Sequence, residues 1–389
     1  MKTRSCRDSK NLHLVTGGAG FPGFSLGKKL SQMGHRVRLL DAKESAWIIP
    51  DNIDFVKVDI RNYEDVMSAM EDVCVVYHMA SYGMSGKDQL KRKMIEEVNV
   101  HGTKNVLKAC REMNVTRLVY TSTYNVVFGG QEIVNGDETL PYLLDHQFTD
   151  YYSKTKKEAE VEVLAADGSS TDDGSTLHMC ALRLAGVYGL GEQRHIPRIV
   201  SYLERGLVCV TYGSGVVDFL HIDNLIQAHI LAAKALTPQH KHIAAGQSYF
   251  ISDGKPIKNF EFFRPLIEGL GYTFPKVCLP LKLVFYLAFM LELIHLVLGR
   301  LYNFDVILTR TEVHKTGVTH TFSIEKARKE LGYEPTIQND MSDVVRYYQR
   351  TGHVKQKSER GVGYYLMNIL IAFFIAIIIL SFLPLTSDL

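Results

Sequence analysis

Tyr152 and Lys156 stand four residues apart in the run Tyr-Ser-Lys-Thr-Lys, which on a helix sets a phenol and an ammonium on one face. A free tyrosine titrates near pH 10 and is a poor base at neutral pH. A cation about 4 Å away, at an effective dielectric near 20, stabilises the phenolate by roughly 4 kcal/mol, close to three pKa units before any discount for solvent. The pair therefore reads as a proton-abstracting centre, with Lys156 also available to hold a ribose. Thr121-Ser122-Thr123 closes a predicted strand, and a hydroxyl there can orient the substrate oxygen that Tyr152 deprotonates. Taken alone, the Tyr/Lys spacing is also what a solvated helix face produces; its surroundings give it weight.

The second chemical signal is Thr16-Gly-Gly-Ala-Gly-Phe-Pro-Gly23, where Gly17, Gly20 and Gly23 recur every three residues between an apolar strand-like run and a helical pattern. Without side chains in the way, the backbone around Phe21 can approach a pyrophosphate, and a helix N-terminus adds favourable partial charge. Asp41 closes the next strand eighteen residues after Gly23. A carboxylate there accepts hydrogen bonds from ribose hydroxyls and repels a 2′-phosphate, which favours NAD over NADP, although the neighbouring Lys43 softens that preference.

These groups need a scaffold, and the apolar pattern supplies one. Short β-type runs at 12–16, 37–40, 55–58, 74–78, 118–121 and 177–182 alternate with helical periodicity at 64–70 and 98–113. The fold class expected is α/β, a doubly wound parallel sheet of the Rossmann type. Residues 167–175, rich in Gly, Ser and Asp, read as a surface loop. Four parts follow: a nucleotide-binding domain at 11–185, a smaller substrate-binding region at 186–350 partly interleaved with the sheet, a basic linker at 351–361 and a transmembrane helix at 362–384. Another apolar stretch, 282–300, carries Lys282, Glu292, His295 and Arg300 and is too interrupted to span a bilayer; it reads as an interfacial helix or a lid over a greasy pocket.

With 389 residues and a formal charge of +2, the chain can bury a large core but lacks the basic face of a nucleic-acid binder. Its six cysteines and fifteen histidines show no metal-ligand spacing, so no metal is expected, and the cysteines suit free thiols in a reducing compartment. The N-terminus carries no secretory pattern. No charged residue occurs from 361 to 387, long enough to cross a hydrocarbon core of roughly 30 Å. Arg346, Arg350, Lys355, Lys357 and Arg360 precede that run, which places the catalytic body in the cytosol. The sequon Asn114-Val-Thr116 is accordingly expected to stay unmodified.

Together these motifs, with His78-Met-Ala80, Asn99-Val-His-Gly-Thr103, Leu182-Arg183 and Tyr188-Gly189, and Asp218-Phe-Leu-His-Ile-Asp-Asn224, resemble the extended short-chain dehydrogenases. The likeness is strongest to the 3β-hydroxysteroid dehydrogenase branch, and Ala80-Ser-Tyr-Gly-Met-Ser-Gly86, Phe128-Gly-Gly130 and Gly191-Glu-Gln-Arg-His195 resemble family 42E. The resemblance implies that Thr123, Tyr152 and Lys156 are catalytic, that Asp59 and Ile60 touch the adenine, and that Ala80, Asn99 and Ser122 frame the cofactor. It also implies NAD-dependent oxidation of a ring hydroxyl to a ketone on an apolar steroid or sterol, at the membrane of the endoplasmic reticulum. A homodimer is the assembly expected on general grounds. Two departures stand out: Leu184 replaces a common proline, and Pro22 removes a backbone N–H where relatives offer one to the pyrophosphate. Other readings are a nucleotide-sugar epimerase or dehydratase, and a non-catalytic, membrane-tethered NAD-binding scaffold.

Overall fold

Seven parallel strands form the main sheet: β1 (Leu12–Thr16), β2 (Arg36–Asp41), β3 (Ile53–Lys57), β4 (Val73–His78), β5 (Arg117–Thr123), β6 (Thr176–Leu184) and β7 (Gln247–Ile251). This computed structural model describes residues 12–84, 86–298 and 308–355. The spatial order is β7-β6-β5-β4-β1-β2-β3, every neighbour parallel. All five residues of β1 are buried, as a strand covered on both faces requires. The order reverses at β1, which pairs β2 on one side and β4 on the other, so the ends of β1 and β4 diverge into the crevice where open α/β sheets bind ligands.

The helices, numbered along the chain, cover both faces. α1 (Phe21–Gln32) and α7 (Ile222–Ala235) bury Leu26, Leu30, Leu225 and Ala228 against one side. α2 (Tyr63–Ala69), α4 (Thr103–Glu112) and α5 (Tyr151–Ala165) bury Val66, Val106, Leu107, Ala159 and Val163 against the other. Helical periodicity alone reads 98–113 as one helix. The structure instead runs α3 (Arg92–Glu96) into a π-type turn (Glu97–Gly102) before α4. Gly102 permits this packing, since a Cβ there would lie 2.6 Å from the Ile60 side chain. Single π turns inside helices occur mostly at functional sites. The expected loop at 167–175 contains a two-residue strand, Ser169–Ser170, hairpinned onto β6. Gly168 and Gly174 flank it with positive φ.

The second half packs around Tyr188, Phe219 and Phe262, the last two rings stacked at 3.5 Å, with α6 (His195–Glu204), α8 (Asn259–Gly269) and α11 (Ser342–Arg350) around them. α9 (Leu281–Leu298) packs Val284 and Ala288 onto Val313 of α10 (Arg310–Gly317). It leaves Tyr286, Phe289, Met290, Leu293 and Ile294 exposed. Among the described residues no helix is long and apolar enough to cross a membrane. The anchor expected at 362–384 and most of its basic linker lie outside those residues.

Candidate active site

α5 begins where the Asp150 carboxylate accepts the Ser153 amide at 2.7 Å, an N-cap that also receives Lys315 at 3.0 Å. From there Tyr152, Lys156 and Glu160 fall at i, i+4 and i+8 on the buried face, 6 %, 2 % and 0 % exposed. The Ser81 side chain, in the loop that leaves β4, lies close enough to Tyr152 to act on its phenol. Burial pushes the Tyr152 phenol up to about 12; the Arg194 guanidinium and Ser81 pull against it, and Asp150 adds to the rise. Lys156 donates from Nζ to the Thr121 carbonyl at 2.6 Å and sits 4.0 Å above the Tyr120 ring. Burial lowers it to about 7, with Glu160 opposing.

The expectation was that Lys156 draws the phenol down into working range; in this structure the phenol is shifted up and the ammonium down. Burial disfavours both charged forms, and the ammonium is spent on a carbonyl and a ring; the cation that acts on Tyr152 is Arg194, from the turn before α6. Thr123 caps the turn Tyr124–Val126, accepting from Asn125 Nδ2 at 2.9 Å. Ser122, expected among the cofactor contacts, donates its hydroxyl to Glu160. The strand pleat explains this: Tyr120 and Ser122 face α5, whereas Thr121 turns to His229 of α7, 2.8 Å away. Glu160 also accepts from Tyr142 at 2.8 Å and pairs with Arg183 at 2.8 Å, in a nearly solvent-free cluster beneath Lys156. Sequence reasoning missed Ser81, Glu160 and Arg194. Ser81 and Arg194 lie in motifs quoted for family 42E without a role, and Glu160 is the third step of the Tyr152/Lys156 spacing.

The glycine loop fits a dinucleotide. Gly17 has φ +72°, and a Cβ on it would lie 2.9 Å from the Ala80 amide; one on Gly23 would lie 2.2 Å from the Gly17 carbonyl. Two chain segments thus touch at a place where side chains would block both each other and a pyrophosphate. Gly20 is the N-cap of α1, Phe21 its first residue, with the ring buried. Asp41 accepts the Ala19 amide at 3.0 Å and the Lys43 amide at 3.0 Å, so its carboxylate stands against the loop where a ribose would meet it. Asp59 is held by Arg61 at 2.6 Å, whose hydrogen bond keeps that carboxyl below its usual range, and Arg61 also reaches Glu97 at 3.1 Å. These side chains, with Asn62 and His101, line a cavity of about 470 Å³. Ile60 is buried beneath Gly102. Asn99 accepts the Tyr82 amide at 2.8 Å and donates to the Tyr82 carbonyl at 3.1 Å and to Thr155 at 3.0 Å, so it ties the post-β4 loop to α5.

Residues 14–281 match the 3-beta hydroxysteroid dehydrogenase/isomerase family. The chain belongs to that family. Among curated relatives, human short-chain dehydrogenase/reductase family 42E member 1 is 53% identical over 383 residues, 97% of each chain. The 3 beta-hydroxysteroid dehydrogenase/Delta 5-->4-isomerase of Mycobacterium tuberculosis is 36% identical over 345 residues, 86% of this chain and 90% of that one. Similar solved folds include UDP-glucose 4-epimerase of Thermotoga maritima with UDP-glucose (TM-score 0.66, 20% identity, 87% and 99% of the two chains). Another is the Thermus thermophilus UDP-glucose 4-epimerase complex with NAD (TM-score 0.63, 21% identity, 87% and 99%). Membership of the 3-beta hydroxysteroid dehydrogenase/isomerase family accounts for the extended Rossmann sheet and for the dinucleotide fit of its loop.

Proposed function

We propose that this chain is an NAD-dependent dehydrogenase that oxidises a ring hydroxyl of a steroid- or sterol-like alcohol to a ketone, tethered to a membrane by its C-terminal apolar run. One observation carries the reading: Tyr152 lies beside Ser81, the residue after Ala80, whose backbone closely approaches Gly17. The phenol and the dinucleotide loop therefore share one crevice at the switch point of the sheet. The relatives' names give the hydroxysteroid class, and the long uncharged C-terminal run suits an enzyme whose substrate dissolves in lipid.

Bound NAD supplies the hydride acceptor. Tyr152, as the phenolate, takes the hydroxyl proton as the carbonyl forms; with the phenol at about 12 its own proton must leave first, a loss that the charge of Arg194 favours and burial opposes. Lys156 holds the Thr121 carbonyl, fixing the end of β5 beside the phenol, and has further donors to offer a ribose hydroxyl. The test is turnover of the full chain in lipid vesicles with NAD, followed by NADH absorbance on hydroxysteroids and by chromatography of the products on nucleotide sugars, whose epimerisation or dehydration releases no net NADH. Hydroxysteroid turnover that falls about 10²- to 10⁴-fold in Tyr152→Phe supports the reading. Turnover of the sugars alone would make the chain an epimerase or dehydratase, and turnover of neither a scaffold.

A further inference from the structure

His78 ends β4 completely buried, outside the proton transfer just described, and its surroundings leave it only one chemical form. Its Nδ1 lies 2.7 Å from Thr16 Oγ1, and its Nε2 lies 2.9 Å from Thr103 Oγ1. Thr16 Oγ1 already accepts two backbone amides, those of Met79 and Ala80, each at 3.1 Å. A hydroxyl oxygen has two lone pairs, so Thr16 is full as an acceptor and must donate its own hydrogen to Nδ1. The ring proton is then on Nε2 and goes to Thr103. The Thr103 hydroxyl passes its hydrogen to the Asn99 carbonyl at 2.7 Å. Every donor and acceptor is used once, in one direction. An imidazolium would set two hydrogens against each other at Thr16; burial, with Lys156 nearby, holds the ring neutral with its pKa near 3.

We infer that His78 is a neutral, single-tautomer positioning residue for the dinucleotide. Through Thr16 it pins the Met79 and Ala80 amides, and so sets how closely the post-β4 turn presses on Gly17. The other end of the chain reaches the catalytic helix: Asn99 donates to Thr155, which donates to the Tyr152 carbonyl at 2.9 Å. Charged neighbours are few: Lys156 lies beyond the Tyr120 ring, which itself tilts against His78 at 5.6 Å.

The inference rests on the loop binding NAD and is tested without turnover. In His78→Asn the amide oxygen replaces Nδ1 and keeps the Thr16 bond; in His78→Gln the amide replaces Nε2 and loses it. The full chain in vesicles should bind NADH within about threefold of the parent as His78→Asn and about tenfold more weakly as His78→Gln, one buried hydrogen bond's worth. Spectra of ring-nitrogen-labelled histidine in the parent, with the His78 signal assigned by its loss in either variant, should show the Nε2–H tautomer down to the lowest pH at which the chain stays folded. Equal losses in the two variants, unchanged binding in His78→Gln, or an Nδ1–H or charged ring would overturn the assignment. If either variant fails to fold, the parent spectrum alone decides. A chain that binds NADH as described but oxidises no hydroxysteroid overturns the proposed function and leaves this inference standing.

Discussion

Replacing Pro22 by isoleucine should tighten NAD binding, and the geometry of the loop gives the size of the effect. Between Gly18 and Phe24 the amides of Gly18, Ala19, Gly20 and Phe24 are committed to Leu40, Asp41, Gly17 and Gly20. The first turn of a helix leaves its amides without intrahelical partners, so Phe21 and Gly23 remain free to meet a pyrophosphate. Pro22, between them, has no N–H. One restored charge-assisted donor contributes about 1.5 to 3 kcal/mol, or ten- to a hundredfold in Kd. Removing proline's fixed φ costs about 0.4 to 1 kcal/mol of stability, too little to mask the gain. The single tryptophan offers the readout: Trp47 stacks on Phe24 at 4.9 Å, one turn into α1, and energy transfer to NADH follows the titration. Equal dissociation constants for the two forms would refute the donor count.

Other outcomes follow from features already described. Glu160→Gln strands the Arg183 guanidinium, 3 % exposed, and should cost about 3 to 5 kcal/mol in denaturant unfolding; if Glu160→Gln/Arg183→Met is no more stable than the single variant, the pair is not the cause. Asp41→Asn keeps the acceptor for Ala19 but removes the charge, so the NADP to NAD preference should rise about tenfold, a coupling of ~1.4 kcal/mol, in paired binding titrations. His13 and His78, near 3, and His229 and His320, near 4, are all depressed by burial below the 6.5 of a free histidine. Below pH 6.5 the unfolded chain binds protons that the folded one refuses. Stability is thus fully present above 6.5 and falls toward the folded values, by about 2 kcal/mol per ring at pH 5. A melting temperature that stays flat from pH 7 to pH 5 would contradict the burial of these rings.

The strands and the crevice were legible because they depend on local pattern: β1 and β4 are apolar runs, and Gly17, Gly20 and Gly23 announce a turn that only glycine permits. Asp41 was readable for the same reason, being a fixed step beyond the loop. What the sequence hid depends on distant partners. Nothing near Lys156 signals that a strand carbonyl, Thr121, takes its ammonium, and nothing near Tyr152 points to Arg194. The π turn at Glu97–Gly102 escaped because a 3.6-residue period presumes regular hydrogen bonding, which Gly102 over Ile60 interrupts. The bond from Ser122 to Glu160, 38 residues away, has no local signal either.

The return of β7 to the edge of the sheet governs how the chain can be made. Five residue pairs join β7 to β6, and α7 supplies Leu225, Ala228 and Ala232 to the same core. A nascent polypeptide that has emerged only as far as β6 therefore exposes Leu182 and Cys180 along an unpaired edge. Folding of the nucleotide half must wait for at least Ile251 to clear the ribosome, an interval in which a holding chaperone has an apolar strand to grip.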